Sequence, residues 1–316
     1  MIDVVIPVYK PDEKFDRLIE KLVKQKIRPE SIIIMYTLTG VDEKEISVFE
    51  EHINKLLIEN GEPDDTFIKV YPVSKKDFSH GLTRNEGASH GHSPYILMMT
   101  MDAVPADIYL TERMLKMIES TPDAGQCYAR QKTDGDAPEY LRLTQRFNYP
   151  PESMVKSKED YKRLGIKTIF CSDVCCMYRR DVFEYIGGFE DIFFNEDMIF
   201  ARKAIDAGYK VCYAGDAVVY HYHKYSCSKQ RKRNFDLAVT QKLYPEVFGD
   251  LSSVKEGRSM VKSIMKKLLK KGKIFQLFYF ILLSGNKFLG YKLGKNYRLF
   301  PKAWCKHMSA TPSYWG

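Results

Sequence analysis

The stretch MIDVVIPVYKPDEKFDRLIEKLVKQKIRPESIIIMYTL, residues 1–38, decides the fold. Its first run, IDVVIPV (2–8), is β-branched, apolar throughout and closed by a proline. Residues 13–26 then place Phe15, Leu18, Ile19, Leu22 and Val23 at helical spacing. SIIIMYTL (31–38) is a second apolar run. Strand, amphipathic helix and strand in this order make one βαβ unit. Strands that are apolar on both faces need cover on both, which a parallel sheet between two helical layers supplies.

The pattern repeats outward from there. Residues 43–60 show helical spacing at Ile46, Phe49, Ile53, Leu56 and Leu57. FIKVYPV (67–73) reads as a third strand and PYILMMTM (94–101) as a fourth. A helix is expected over 107–119 and a strand over 124–130, whereas 131–165 reads as loop. SDVCCMYRRDVFEYIGGF (172–189) reads as strand, helix and glycine turn. FNEDMIFARKAIDAGYKV (194–211) reads as a helix ended by Gly208 and followed by a strand, and AVVYHYH (217–223) as the last strand.

The chain of 316 residues can bury a large core. No basic segment with a cleavage site precedes the first strand, so the expected location is the cytoplasm. Seven cysteines, odd in number and irregular in spacing, suit reduced thiols; the C-x3-C-C spacing of CSDVCC (171–176) does not suit a zinc site. Charge is divided unevenly. The whole chain carries +8 and the part from Lys255 onward carries +13, so the first 254 residues carry −5. The body is mildly acidic and the tail strongly basic, which argues against a nucleic-acid-binding protein built around the tail and the KQRKRNF run (229–235).

Ligands of open α/β sheets sit beyond the carboxyl ends of the strands. Here that means Pro7 to Lys10, the loop after Val73, the segment Met101 to Ala103, and the strand end at His221 and His223. Asp102 ends an apolar strand, where a carboxylate is costly unless paired or bound to a cation; Asp107 is the better placed of the two to cap the next helix. Glu196 and Asp197 stand together after aromatic residues at a helix start, and a carboxylate against such walls has the raised pKa of a general base. His221 and His223 alternate along a strand and so share a face. Arg231 and Arg233 could bind a diphosphate, although such a basic run is more often a solvated helix face.

Several motifs together resemble one family. FSHGLTRNEGA (78–88), MTMDAVP (99–105), FFNEDMIFARKAIDAGYKV (193–211), and HYHKYS (221–226) followed by KRNFD (232–236) are similar to the signatures of bacterial rhamnosyltransferases of glycosyltransferase family 2. The resemblance runs from residue 1 to about 245. It implies a GT-A fold over 1–250, with a mostly parallel Rossmann-like sheet and flanking helices, and a basic helical extension over 251–316. It implies an inverting transferase that uses a nucleotide sugar, dTDP-rhamnose in this subfamily, and a divalent metal, Mn2+ or Mg2+. By position, Pro7 and Tyr9 would border the nucleotide. His80, Gly81, Arg84 and Asn85 would reach the donor from a glycine-permitted turn, with Arg231 and Arg233 aiding at the diphosphate. Asp102 would bind metal or diphosphate, His221 or His223 would complete the metal site, and Asp197, beside Glu196, would be the base. Two positions depart from the pattern: Thr100 replaces the first acid of D-x-D, and the second strand meets no Asp before Asp42. Same-fold transfer of glucose, galactose, galactofuranose or an amino sugar is the alternative.

In the tail, SMVKSIMKKLLKKGKIFQLFYFILL (259–283) mixes lysines with apolar residues, and its apolar run of ten is too short to span a bilayer. It reads as a membrane-surface element, suited to a polyprenyl-diphosphate-linked glycan acceptor, or as a helix packed on the domain with a solvated lysine face.

Overall fold

The computed structural model describes residues 1–40, 44–61, 67–251 and 253–316, which leaves Asp42 outside the described residues. The first hundred residues alternate as β1 (Ile2–Val8), α1 (Glu13–Val23), β2 (Ser31–Thr37), α2 (Lys44–Glu59), β3 (Ile68–Val73), α3 (His80–Ser89) and β4 (Tyr95–Met99). Then follow β5 (Val104–Pro105), α4 (Leu110–Glu119), β6 (Ala124–Lys132), α5 (Glu139–Asn148), β7 (Met154–Lys156), α6 (Tyr161–Leu164), β8 (Cys175–Arg179), α7 (Arg180–Ile186), α8 (Glu196–Asp206) and β9 (Lys210–Tyr220). The chain ends in α9 (Cys227–Leu243), α10 (Pro245–Phe248), α11 (Ser253–Lys270), α12 (Ile274–Lys295) and α13 (Lys302–Met308).

The strands form one sheet in the order β3-β2-β1-β4-β8-β6-β9-β5, with β7 also on β9. β3, β2, β1 and β4 run parallel, as their unbroken apolar pattern requires. β8 is antiparallel to both neighbours, and β6 and β9 are parallel again. Alternate side chains feed two cores. Val5, Met35 and Met98 face one layer with Phe200 and Phe235; Val4, Ile34 and Leu97 face the other with Leu18 and Ile53.

Three expectations are corrected. The segment 131–165 is not loop: β6 continues to Lys132, and α5, β7 and α6 follow. Tyr140 and Leu143, spaced for one helix face, bury against Ile264, Leu268 and Phe280, so α5 exists because the C-terminal helices cover it. The helix expected from 107 starts at Leu110, because Asp107 accepts from Tyr109 N (2.9 Å) and Arg113 (2.8 Å) in a turn ahead of it. Residues 210–220 form one strand rather than two, and His221 and His223 lie past its end.

The tail is helical but not detached. A Cβ at Gly290 would stand 2.1 Å from Arg231 O, and one at Gly294 2.3 Å from Phe235 O, so α12 lies directly on the α9 backbone. Beyond it, Cys305, Met308 and Trp315 join the same core as Phe235. Packing therefore runs without a break across residue 250.

Candidate active site

β5 pairs antiparallel with β9, Val104 opposite Tyr220. The residues just outside that pair, Asp102 and His221, therefore meet. His221 Nε2 lies 3.5 Å from Asp102 Oδ1, and His223 Nε2 lies 3.2 Å from Asp102 Oδ2. Donor atoms of all three fall within 4.8 Å of one another.

The chemistry of this trio fits a divalent cation. Gln131 donates through Nε2 to Tyr149 Oη (2.7 Å) and Ser172 Oγ (2.9 Å), so its Oε1 is the atom facing His221 Nδ1 at 3.0 Å. Nδ1 must then carry the proton, and Nε2 presents its lone pair to a carboxylate. Two acceptors face each other, an arrangement that a cation between them resolves. Burial, opposed by Asp102 and aided by His223, Lys14 and Arg233, lowers the His221 pKa to about 4, which keeps the imidazole neutral and ligating. Thr100, in the first D-x-D position, has a buried Oγ1 without a hydrogen-bond partner.

A second cluster holds Asp197. Asn195 turns the chain in the left-handed region (φ 66°) and starts α8, so Glu196 and Asp197 open that helix. Asp197 Oδ1 accepts from Met198 N (2.7 Å) and Oδ2 from Asp173 N (3.3 Å). Burial, then the neighbouring Glu196 and Asp173 carboxylates, push the Asp197 pKa well above the ordinary carboxylate range. Asp173 itself, raised to about 6 by burial, accepts from Tyr178 Oη at 2.6 Å.

Arg84 is the cation of this cluster. Its Nη1 donates to Glu196 Oε1 (3.0 Å) and to His80 O (2.9 Å), and its Nε lies 3.6 Å from Asp173 Oδ2. The residue is 3% exposed. Asn85 is also committed inward: its Nδ2 donates to Phe189 O and its Oδ1 accepts from Phe189 N, both at 2.9 Å. Gly81 sits in α3 at an ordinary helical φ, and a Cβ there would meet Glu190 O at 2.2 Å. The expected turn delivering Arg84 and Asn85 outward is thus a helix. Its glycine permits close approach to the 187–196 segment, and both polar side chains hold that segment rather than facing solvent.

The exposed His80 opens onto a cleft of about 370 Å³ between the ends of β1, β2 and β3. Tyr9, Thr37, Lys75 and Phe78 line one side and Phe193 and Tyr314 the other. Tyr314 packs on Phe193 with ring centroids 4.1 Å apart. Pro7 pairs with Met35 just inside the strand end, and Tyr9 lies beyond it with Lys10 and Lys75 over its ring.

Arg233 stacks on Phe194 and Tyr225, each ring centroid 5.1 Å away, and Tyr225 stacks on His223. Arg231 has a buried Nε without a hydrogen-bond partner. Lys287 of α12 approaches Arg233, and burial followed by that like charge lowers its pKa. Gln131, Lys287 and Tyr314 were missed in the sequence. Gln131 lies in a strand end expected to be loop, and the other two belong to the C-terminal extension, whose expected partner is either a membrane surface or the domain itself. None carries a local signal.

The model of "Glycosyl transferase family 2" matches residues 3–187. The chain is 33% identical over 317 residues to the O-antigen chain rhamnosyltransferase RfbN of Salmonella typhimurium, covering 99% of this chain and 96% of the relative. It is 33% identical over 316 residues to the O-antigen chain rhamnosyltransferase WbaN of Salmonella anatum, covering 99% and 95%. Among solved structures, the mannosyltransferase PcManGT of Pyrobaculum calidifontis, in complex with GDP-Man and Mn2+, superposes with a TM-score of 0.59 at 10% identity, over 93% of this chain and 86% of that one. TarS 1–349 of S. aureus gives 0.53 at 15% identity, over 84% and 71%. The architecture is of the GT-A kind, and the chain belongs to glycosyltransferase family 2.

Proposed function

We propose that this chain transfers L-rhamnose from dTDP-β-L-rhamnose to a hydroxyl of a lipid-linked glycan, on the cytoplasmic face of a membrane, with inversion at the anomeric carbon. The observation that carries the reading is the presence of a cation-suited Asp102–His221–His223 trio together with a separate, base-suited Asp197 at the start of α8. Near-full-length similarity to two O-antigen rhamnosyltransferases supports the choice of sugar.

Asp102, His221 and His223 would hold Mn2+ or Mg2+, which supplies positive charge to the departing diphosphate. Arg233, whose charge reaches His221 and His223, would be a further cation for the same oxygens, with Arg231 on the same helix and Lys287 beside Arg233. Tyr9 and Phe78 offer aromatic faces for the nucleotide, with Pro7 behind Tyr9 and His80 at the cleft mouth. Asp197 would take the proton of the acceptor hydroxyl as that oxygen attacks the anomeric carbon; its raised proton affinity suits the task. Glu196 would balance Arg84. Arg84, Asn85 and Gly81 act through the segment they hold, as positioning residues.

The test is a panel of nucleotide sugars with Mn2+ or Mg2+, read by donor hydrolysis and by protection against melting. A response to dTDP-rhamnose above UDP-hexoses is expected. A response to a UDP-sugar alone would overturn the donor.

A further inference from the structure

A helix apolar on every side belongs in a core or against an apolar partner. The first part of α12, residues 274–283, is such a segment. Phe280, Leu283 and Gly290 are buried against α5, α9 and α11. The opposite side is apolar too and is covered by nothing among the described residues. Phe275 is 92% exposed, Phe278 67%, Leu282 57% and Leu289 46%. Their spacing of three, four and seven residues makes one continuous stripe, unlike the scattered exposed apolar residues normal on a surface. No helix among the described residues is long and apolar enough to cross a membrane.

We propose that this outward face of α12 seats on the surface of an anionic phospholipid bilayer, with the aromatic stripe at the headgroup–acyl boundary and Lys267, Lys270 and Lys273 of the α11–α12 junction against lipid phosphates. Charge selects this occupant over a second copy of the chain. From Lys255 onward the chain carries fourteen basic residues and one acidic. Two copies meeting on this face would set the exposed Lys267, Lys270 and Lys273 of one against those of the other, whereas an anionic leaflet attracts them. Amphipathic helices lie in the interface in this manner when a basic flank adjoins an aromatic face.

Placement gives the seat a use. The inner side of α12 rests on the α9 backbone at Arg231 and Phe235. A bilayer against the outer side therefore lies about one helix diameter, ~10 Å, from the helix that carries Arg231 and Arg233. A lipid-linked acceptor could enter without leaving its leaflet. The inference rests on the proposed function only for that last purpose.

The full chain is sedimented with phosphatidylglycerol-containing vesicles and with phosphatidylcholine vesicles at low and high salt. Binding to the anionic vesicles alone, weakened by salt, is expected. The Phe275→Ser/Phe278→Ser/Leu282→Ser variant should lose about 1000-fold or more in partitioning, since each buried large apolar side chain contributes a tenfold factor or more. Its melting temperature and donor hydrolysis should stay at wild-type values. Replacing the three lysines by Gln should cost about fivefold each at low salt. Failure of the wild type to sediment, equal sedimentation of the apolar variant, or a dimer abolished by that variant without vesicle binding would each overturn the proposal. Loss of donor hydrolysis in the wild type would instead count against the enzymatic reading and leave the vesicle result standing.

Discussion

Replacing Arg84 by Gln separates two roles for the residue that the sequence alone ties to the donor. In the structure its guanidinium lies 3.0 Å from Glu196 and 3.6 Å from Asp173, and 3% of the residue is exposed. Glutamine fills part of the space but leaves these buried carboxylates without their cation. Breaking a buried pair in this way costs about 3–5 kcal/mol. A chain of 316 residues unfolds with an entropy of about 0.7 kcal/mol/K. The melting temperature should therefore fall by about 5–8 °C at pH 8. The loss should depend on pH with a definite sign. Asp173 is raised to about 6 in the folded protein, from an unfolded value of 3.8. Such a group favours folding while protonated, and that advantage disappears as pH rises from the unfolded towards the folded value. Without Arg84 the folded value moves higher still, so the additional penalty develops above about pH 6 and fades below it. Differential scanning fluorimetry across pH 5 to 8 (roughly the range over which Asp173 ionises) reads the effect. Arg84→Lys should recover part of it by restoring charge without the fork. A variant that melts within about 1 °C of wild type at pH 8, but needs far more donor, would refute the buried-pair reasoning and return Arg84 to the donor.

Three other outcomes follow from the site. Asp197→Asn should lower kcat by about 10²–10⁴ while calorimetry shows nearly unchanged donor binding; in the wild type, rate should fall with decreasing pH at a value above the ordinary carboxylate range, because the base must be ionised. Near-normal turnover by the folded variant would remove Asp197 from that role. Asp102→Ala and His221→Ala should each abolish Mn2+-dependent gain in donor affinity, and Gln131→Leu should weaken Mn2+ binding by about 10–100-fold; unchanged affinities would disperse the trio. Gly81→Ala should destabilise by about 1–3 kcal/mol, because Glu190 O blocks the new Cβ at 2.2 Å; an unaltered melting curve would show that the two segments do not touch.

Legibility followed the range of the interactions. β1, β2, β3 and β4 were readable because each is a local apolar run whose pattern specifies a covered strand. Asp102, His221 and His223 could be proposed from strand-end positions, and antiparallel pairing of β5 with β9 brings them together. Gln131 could not. Its role arises from three partners at positions 149, 172 and 221, none of which sequence spacing connects. α5 leaves no legible pattern because its buried face is short, and its cover arrives more than a hundred residues later. The tail was divided from the body on charge, which is a property of its surface. Its packing is fixed by Gly290, Gly294 and Trp315, and small or single residues leave little trace in composition.

On the proposed reading, Gly81, Arg84 and Asn85 would bear on the transfer through the segment they hold rather than through the donor. Gly81 admits the backbone of Glu190, Asn85 pairs with both backbone groups of Phe189, and Arg84 holds Glu196. Three contacts from consecutive faces of one helix thus fix the course of 187–196, and Asp197 is the next residue. A base displaced by an ångström loses much of its advantage, since proximity and orientation contribute several kcal/mol to a barrier. Substitutions at Gly81, Arg84 and Asn85 should accordingly lower kcat with every donor alike, in proportion to the disorder they give Asp197. Only residues open to the cleft, His80, Tyr9 and Tyr314 among them, have the position to change which nucleotide sugar is chosen. A Tyr314→Ala variant that alters the ratio of kcat/KM between two nucleotides, beside an Asn85→Ala variant that lowers both equally, is the outcome this division of labour requires; the reverse pattern would mean that the donor reaches Asn85 after all.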